Sequence, residues 1–125
     1  MGHHDQTLAE LRKPTRSLRQ AIPDAWTAFQ ALHGAAMSDG AVPARLKEAV
    51  ALAIAVVKQC DGCIAYHAKA AARAGAAPEE VAELLAVALL MAGGPATVYG
   101  PRAWEAFEEF AETAAEAPAR VGSAR

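Results

Sequence analysis

Apolar residues recur at helical spacing along most of the chain, and proline, glycine or a short polar turn stands wherever the rhythm restarts. From Leu8 to Gln20 the pattern is helical but meets Pro14, which has no N–H for an i→i−4 bond and is expected to end one short helix and start another. Pro23 suits the first position of the next helix, on which Trp26, Phe29, Ala31, Leu32 and Ala36 make an amphipathic face as far as about Met37. Ser38-Asp39-Gly40 is a turn, and Pro43 opens a helix bearing Leu46, Val50, Leu52, Ala53, Ile54, Val56 and Val57. That helix is apolar nearly all round, as expected of one buried centrally or at a subunit interface.

Gln59-Cys60-Asp61-Gly62-Cys63 interrupts the pattern, with Gly62 and an Asp61 N-cap predicting an end followed by a new start. A helix from about Asp61 to Ala74 then stops at Gly75. Pro78-Glu79-Glu80 begins another, with Val81, Leu84, Leu85, Ala88, Leu89 and Ala92 on its apolar face, and Gly93-Gly94-Pro95 ends it. The last helix, about Ala96 to Glu116, carries Tyr99, Trp104, Phe107 and Phe110 on one side and Glu105, Glu108, Glu109 and Glu112 mostly opposite. No strand alternation and no long repeat is present. The expected fold is all-α, with about six helices: an N-terminal helical arm over residues 1–20, a domain over 21–116 and a flexible tail over 117–125. Residues 1 to about 6 are expected to fray, and His3-His4 is assigned no chemistry.

Composition sharpens this picture. The chain has 125 residues, a length suited to one domain, and alanine supplies about a quarter of them, which favours close-packed helices. With 12 Lys and Arg against 14 Asp and Glu, the net charge of −2 offers no broad basic surface for nucleic acid. The N-terminus lacks the apolar run of a secretory signal, and the longest apolar stretch, Ala49 to Val57, is about nine residues where a membrane span needs roughly 20. A cytoplasmic protein without membrane partners is expected. In a reducing compartment two cysteines point to redox or metal chemistry more than to a structural staple.

Those cysteines form Cys60-Asp-Gly-Cys63, and His67 follows four residues later. On a helix, Cys63 and His67 share one face, about 5–6 Å apart at Cβ. A thiol at a helix N-terminus has its thiolate favoured by the free N–H groups, and the thiolate is the nucleophile. Two thiols at this spacing can also close a disulfide reversibly. Asp61 opposes thiolate formation unless it is turned away. Alternatives from the residues alone are two buried small hydrophobes, or a zinc site made from Cys60, Cys63, His67 and one carboxylate. By access and thiolate character, either cysteine is eligible to attack.

Glu48 is a carboxylate within the apolar run Leu46 to Ala55, where it needs a partner or takes up a proton, the requirement of a general base or proton relay. A solvated residue, or an ion pair with Arg45, Lys47 or Arg102, is the plain alternative. Glu48 precedes Cys60 by roughly 18 Å of helical rise, so it can reach His67 only by helices crossing, through water or from another subunit.

Glu48, Cys60-x-x-Cys63-x-x-x-His67, the run Leu46-Lys-Glu-Ala-Val-Ala-Leu-Ala-Ile-Ala-Val and Gly93-Gly94-Pro95 together resemble the AhpD-like alkylhydroperoxidases of the carboxymuconolactone decarboxylase superfamily, over about Ala21 to Glu112. The resemblance implies an all-helical fold, trimers or hexamers, and a dithiol that reduces hydroperoxides or passes electrons to a peroxiredoxin. It further implies Cys63 as the attacking thiol, Cys60 as the resolving thiol and Glu48 with His67 as the proton relay, with an external dithiol such as a lipoylated protein as reductant. Two departures stand out: Gly62 occupies a position that is histidine in some members, and the chain is shorter than the founding enzymes. The decarboxylase branch acts on a lactone without a dithiol, so the C-x-x-C favours the peroxidase branch.

Tyr66 and Tyr99 are weaker candidates for lining a substrate pocket, since aromatics at helical spacing more often fill a core or an interface. Gly93-Gly94-Pro95 lacks the rest of a phosphate loop, and no bound cofactor or metal is expected. His33 has no partner in its local sequence and is expected to be exposed.

Overall fold

The computed structural model describes residues 2–116, and the predicted tail over 117–125 lies outside them. Among the described residues all regular structure is helical: α1 (His3–Ala21), α2 (Pro23–Met37), α3 (Ala44–Lys58), α4 (Asp61–Arg73), α5 (Pro78–Ala92) and α6 (Ala96–Glu116). None is long and apolar enough to cross a membrane.

The core lies where α4 meets α3 and α6, with α5 packed on α3. Ile64, Ala65, Ala68 and Ala71 bury one face of α4, and Ala103, Ala106, Phe107 and Phe110 bury the facing stripe of α6. The i, i+3/4, i+7 spacing aligns each set, and its alanines let helix axes approach while Phe107, Leu52, Ile64, Val56 and Val81 fill the space between them. Glu48, Ala49, Leu52, Ala55 and Val56 form the buried face of α3, but Val50, Ile54 and Val57 are exposed. The nearly all-apolar α3 is therefore only half covered by the described residues. Phe29 and Leu32 of α2, and Val87, Leu90 and Met91 of α5, are likewise exposed, and α2 contains no buried residue.

Two expectations about the N-terminus are corrected. Pro14 does not divide the first helix, and α1 runs through it for 19 residues. Proline deprives only the Glu10 carbonyl of its donor, and Glu10 and Pro14 are both exposed, so water can take its place. Nor do residues 2–6 fray. The Glu109 carboxylate of α6 accepts the His4 and Asp5 backbone N–H groups at 3.2 and 3.0 Å, satisfying donors that a helix start leaves open. Buried His4 adds a 2.8 Å contact from Nε2 to Glu105. A Cβ on Gly2 would collide with the Glu109 carboxylate, so glycine permits this close approach. Lys69 of α4, 3.8 Å from Asp5, adds a partly exposed ion pair.

Candidate functional site

The α3–α4 junction differs from the expected glycine break. Gln59 ends α3 in the left-handed region (φ 55°, ψ 47°), with its N–H bonded to Val56 O and the Cys60 N–H bonded to Ala55 O, a Schellman closure. Gly75 (φ 85°) does the same after α4, where Ala76 N bonds Ala71 O. Asp61 is not the N-cap. Cys60 is, its Sγ accepting the Cys63 N–H at 3.2 Å, while Gly62 lies within the first turn of α4. An alanine Cβ at Gly62 would stand 3.1 Å from the end of the Leu11 side chain, so α1 passes close over the segment between the cysteines.

Cys60 and Cys63 are joined as a disulfide, with Cα atoms 5.2 Å apart. Cys63 is exposed and Cys60 half-buried. Asp61 points to solvent and pairs at 3.5 Å with Arg102, which moderates its charge beside the sulfurs.

Glu48 reaches His67 within one chain because α3 and α4 pack together. Its Oε1 lies 2.8 Å from His67 Nδ1, and only 8% of the residue is exposed. The nearby cations are engaged elsewhere: Arg45 binds Glu80, Lys47 donates to the Ser38 carbonyl and Arg102 pairs with Asp61. An ionised Glu48 accepts the hydrogen bond of Nδ1–H and leaves Nε2 of His67 unprotonated, so the contact selects one tautomer of the imidazole.

A cleft of about 950 Å³ lies over the disulfide. Its floor is the start of α4, with Cys60, Gly62, Cys63, Tyr66 and His67. Leu11, Thr15 and Arg19 of α1 and Trp26, Phe29 and His33 of α2 are among its walls. Glu48 stands behind His67, outside the lining. Tyr66 is in the cleft, but Tyr99 is not: its ring packs under the Arg102 guanidinium, 4.7 Å from the centroid.

His33 is corrected as well. It is half-buried in the cleft wall, its ring meets Tyr66 edge-on at 5.9 Å, and Tyr66 meets His67 at 5.0 Å. Its Nε2 is buried without a hydrogen-bond partner among the described residues. The signal was present in the sequence, since His33 follows Trp26 by seven and Phe29 by four and so shares their helix face.

Residues 23–112 match the model of the carboxymuconolactone decarboxylase family. An uncharacterized protein of Cupriavidus necator is 42% identical over 101 residues, 81% of this chain and 89% of that one. A protein of Paracoccus denitrificans, uncharacterized protein 4 in the cox locus, is 39% identical over 83 residues, 66% of this chain and 75% of the other. The crystal structure of an apo carboxymuconolactone decarboxylase family protein from Legionella pneumophila superposes with a TM-score of 0.83 at 38% identity, covering 86% of this chain and 96% of that one. Helical architecture, matched span and identity agree: the chain belongs to the carboxymuconolactone decarboxylase family.

Proposed function

We propose that this protein is a peroxide-reducing thiol oxidoreductase of the alkylhydroperoxidase type. The observation that carries the proposal is the juxtaposition, on one cleft, of a Cys60–Cys63 pair able to close as a disulfide and a His67 imidazole oriented by Glu48.

In the reduced enzyme His67 Nε2 accepts the Cys63 proton, and the resulting thiolate is supported by the N-terminus of α4. Exposure of Cys63 favours it as the attacking sulfur. The thiolate attacks the terminal oxygen of a hydroperoxide ROOH: an S–O bond forms, the O–O bond breaks, and RO⁻ leaves as ROH with the proton from His67. Cys63 is now a sulfenic acid. The Cys60 sulfur, as thiolate, attacks it; the S–S bond forms and hydroxide leaves as water with the proton that Cys60 gave up. The two thiols have supplied two electrons, and an external dithiol, a lipoylated protein or a peroxiredoxin-linked donor, restores them by thiol–disulfide exchange. Glu48 remains a positioning residue for the imidazole.

The uncovered apolar residues of α2, α3 and α5 support assembly into a homotrimer or homohexamer. The site itself needs no cofactor in this scheme, and the protein works in the cytoplasm, where reducing partners are available.

The test is consumption of tert-butyl hydroperoxide with dihydrolipoamide or dithiothreitol, for wild type and Cys63→Ser in parallel. Turnover by wild type alone supports the proposal. Turnover of a small lactone that survives loss of both cysteines would replace it with a decarboxylase-like reaction.

A further inference from the structure

A second depression of about 390 Å³ adjoins the cleft, and the two share Leu11, Thr15, Arg19, Gly62 and Tyr66. Arg12 and Arg16 complete the rim of the second with Arg19. Spacing of four and three places these arginines along one side of α1, and four of the chain's 12 basic residues fall between positions 12 and 19 in a protein of net charge −2. None of the three arginines pairs with a carboxylate of the described residues, although Arg45 and Arg102 both do. The acidic member of the α1 lining, Glu10, accepts from Gln6 and lies nine residues before Arg19, about 13 Å along the helix axis. The rim near Arg19 is thus cationic, while Leu11, Trp26, Phe29 and Tyr66 make the adjoining wall apolar. This basic segment precedes residues 23–112, the part matched by the family model.

We propose that this double depression binds an amphipathic carboxylate, with the carboxylate on Arg12, Arg16 and Arg19 and the aliphatic body in the cleft over the cysteines. Guanidinium forks suit a carboxylate, and an apolar cleft with a few convergent polar groups suits an aliphatic chain. Taken with the proposed function, on which this assignment of substrate rests, the preferred substrate is the hydroperoxide of an aliphatic carboxylic acid.

The binding test uses decanoate and decanol on the oxidised full-length protein, followed by titration calorimetry and intrinsic tryptophan fluorescence, so that no turnover is involved. Decanoate is expected to bind about tenfold or more tightly than decanol, and Arg12→Gln/Arg16→Gln/Arg19→Gln is expected to remove that difference. On wild type alone, added salt should weaken decanoate and leave decanol unchanged. Equal affinity for the two ligands, or discrimination that survives in the triple variant, overturns the site. So does a triple variant that keeps decanoate discrimination but slows only reduction by an acidic protein partner, because the arginines would then dock a macromolecule. In turnover, a hydroperoxy fatty acid should exceed its methyl ester in kcat/KM for wild type, with the ratio falling towards one in the variant. Decanoate discrimination without any hydroperoxide turnover supports the anion site while removing the redox reading, which separates the two failures.

Discussion

Glu48 Oε1 and His67 Nδ1 meet at 2.8 Å although 19 residues separate them in the chain. Neither residue could reach the other along a continuous helix; the reversal at Gln59 and the packing of α4 on α3 bring them together. The contact engages Nδ1, leaves Nε2 as the ring nitrogen that Glu48 does not hold, and gives the buried carboxylate its partner.

Glu48→Gln therefore keeps the shape of the contact while removing its charge and its power to dictate the tautomer. Oxidation of the reduced dithiol by tert-butyl hydroperoxide is expected to slow by about 10²-fold or more, with helical circular dichroism unchanged. Single-turnover stopped-flow measurements check this. A rate equal to wild type would assign Glu48 a packing role only.

Glu109 anchors the first turn of α1 from α6, so Glu109→Ala should free the arm from the cleft. The two backbone N–H groups of His4 and Asp5 lose their acceptor, at a cost of about 1–2 kcal/mol by analogy with loss of an N-cap. Amide exchange is the measurement: protection should fall across α1 while α4 and the buried face of α6 keep theirs. Unchanged exchange in α1 would mean that Leu8 and Leu11 hold the arm without the cap.

Gln59 adopts a backbone conformation that glycine tolerates better. Gln59→Gly is expected to stabilise the protein by roughly 0.5–1 kcal/mol, the relief at a left-handed residue being partly offset by greater freedom of the unfolded chain. Denaturant unfolding of the oxidised form tests the sign. A loss of stability would show that the Gln59 side chain contributes more than its backbone costs.

Glu80 joins the start of α5 to α3: it accepts from Arg45 Nε and Nη2 at 3.2 and 3.1 Å and from the Ala77 N–H at 2.9 Å. The hydrogen bonds from Arg45, and then from Ala77, hold its carboxyl below the ordinary carboxylate range. The native state thus binds this proton less readily than the unfolded chain. The stability contributed by Glu80 is fully present above the unfolded pKa and is lost as pH falls through the depressed folded pKa. Glu80→Gln should flatten the acid limb of stability against pH and leave the slope around neutrality unchanged. Urea unfolding across a pH series checks it, and an acid limb as steep as wild type would contradict the assignment.

Much of the helical architecture was legible because its causes are local. Pro23, Pro78 and Gly75 act through their own backbone dihedrals, and the apolar stripes on α4 and α6 are set by 3.6-residue periodicity. The proximity of Cys60, Cys63 and His67 belongs to the same class, since three- and four-residue separations on one helix leave little freedom. Two local cues are overridden by their surroundings. Pro14 looked like a break because its lost hydrogen bond is visible in sequence, whereas exposure of the orphaned carbonyl is not. Asp61 looked like a better cap than Cys60, but the turn at Gln59 brought the Cys60 sulfur to the Cys63 N–H.

Local residue order dictates the helices, most of their ends and the dithiol with His67 one turn beyond it. Helix packing is what puts Glu48 behind His67, turns His33 into the cleft, lets Glu109 cap a helix starting more than a hundred residues earlier, and sets the α1 arginines along a depression next to the cleft over the cysteines. The physical reason is range. Backbone dihedrals and i, i+4 neighbours are set by adjacent residues, whereas these meetings depend on how helices with alanine-lined faces cross, and that is chosen by packing of the whole core.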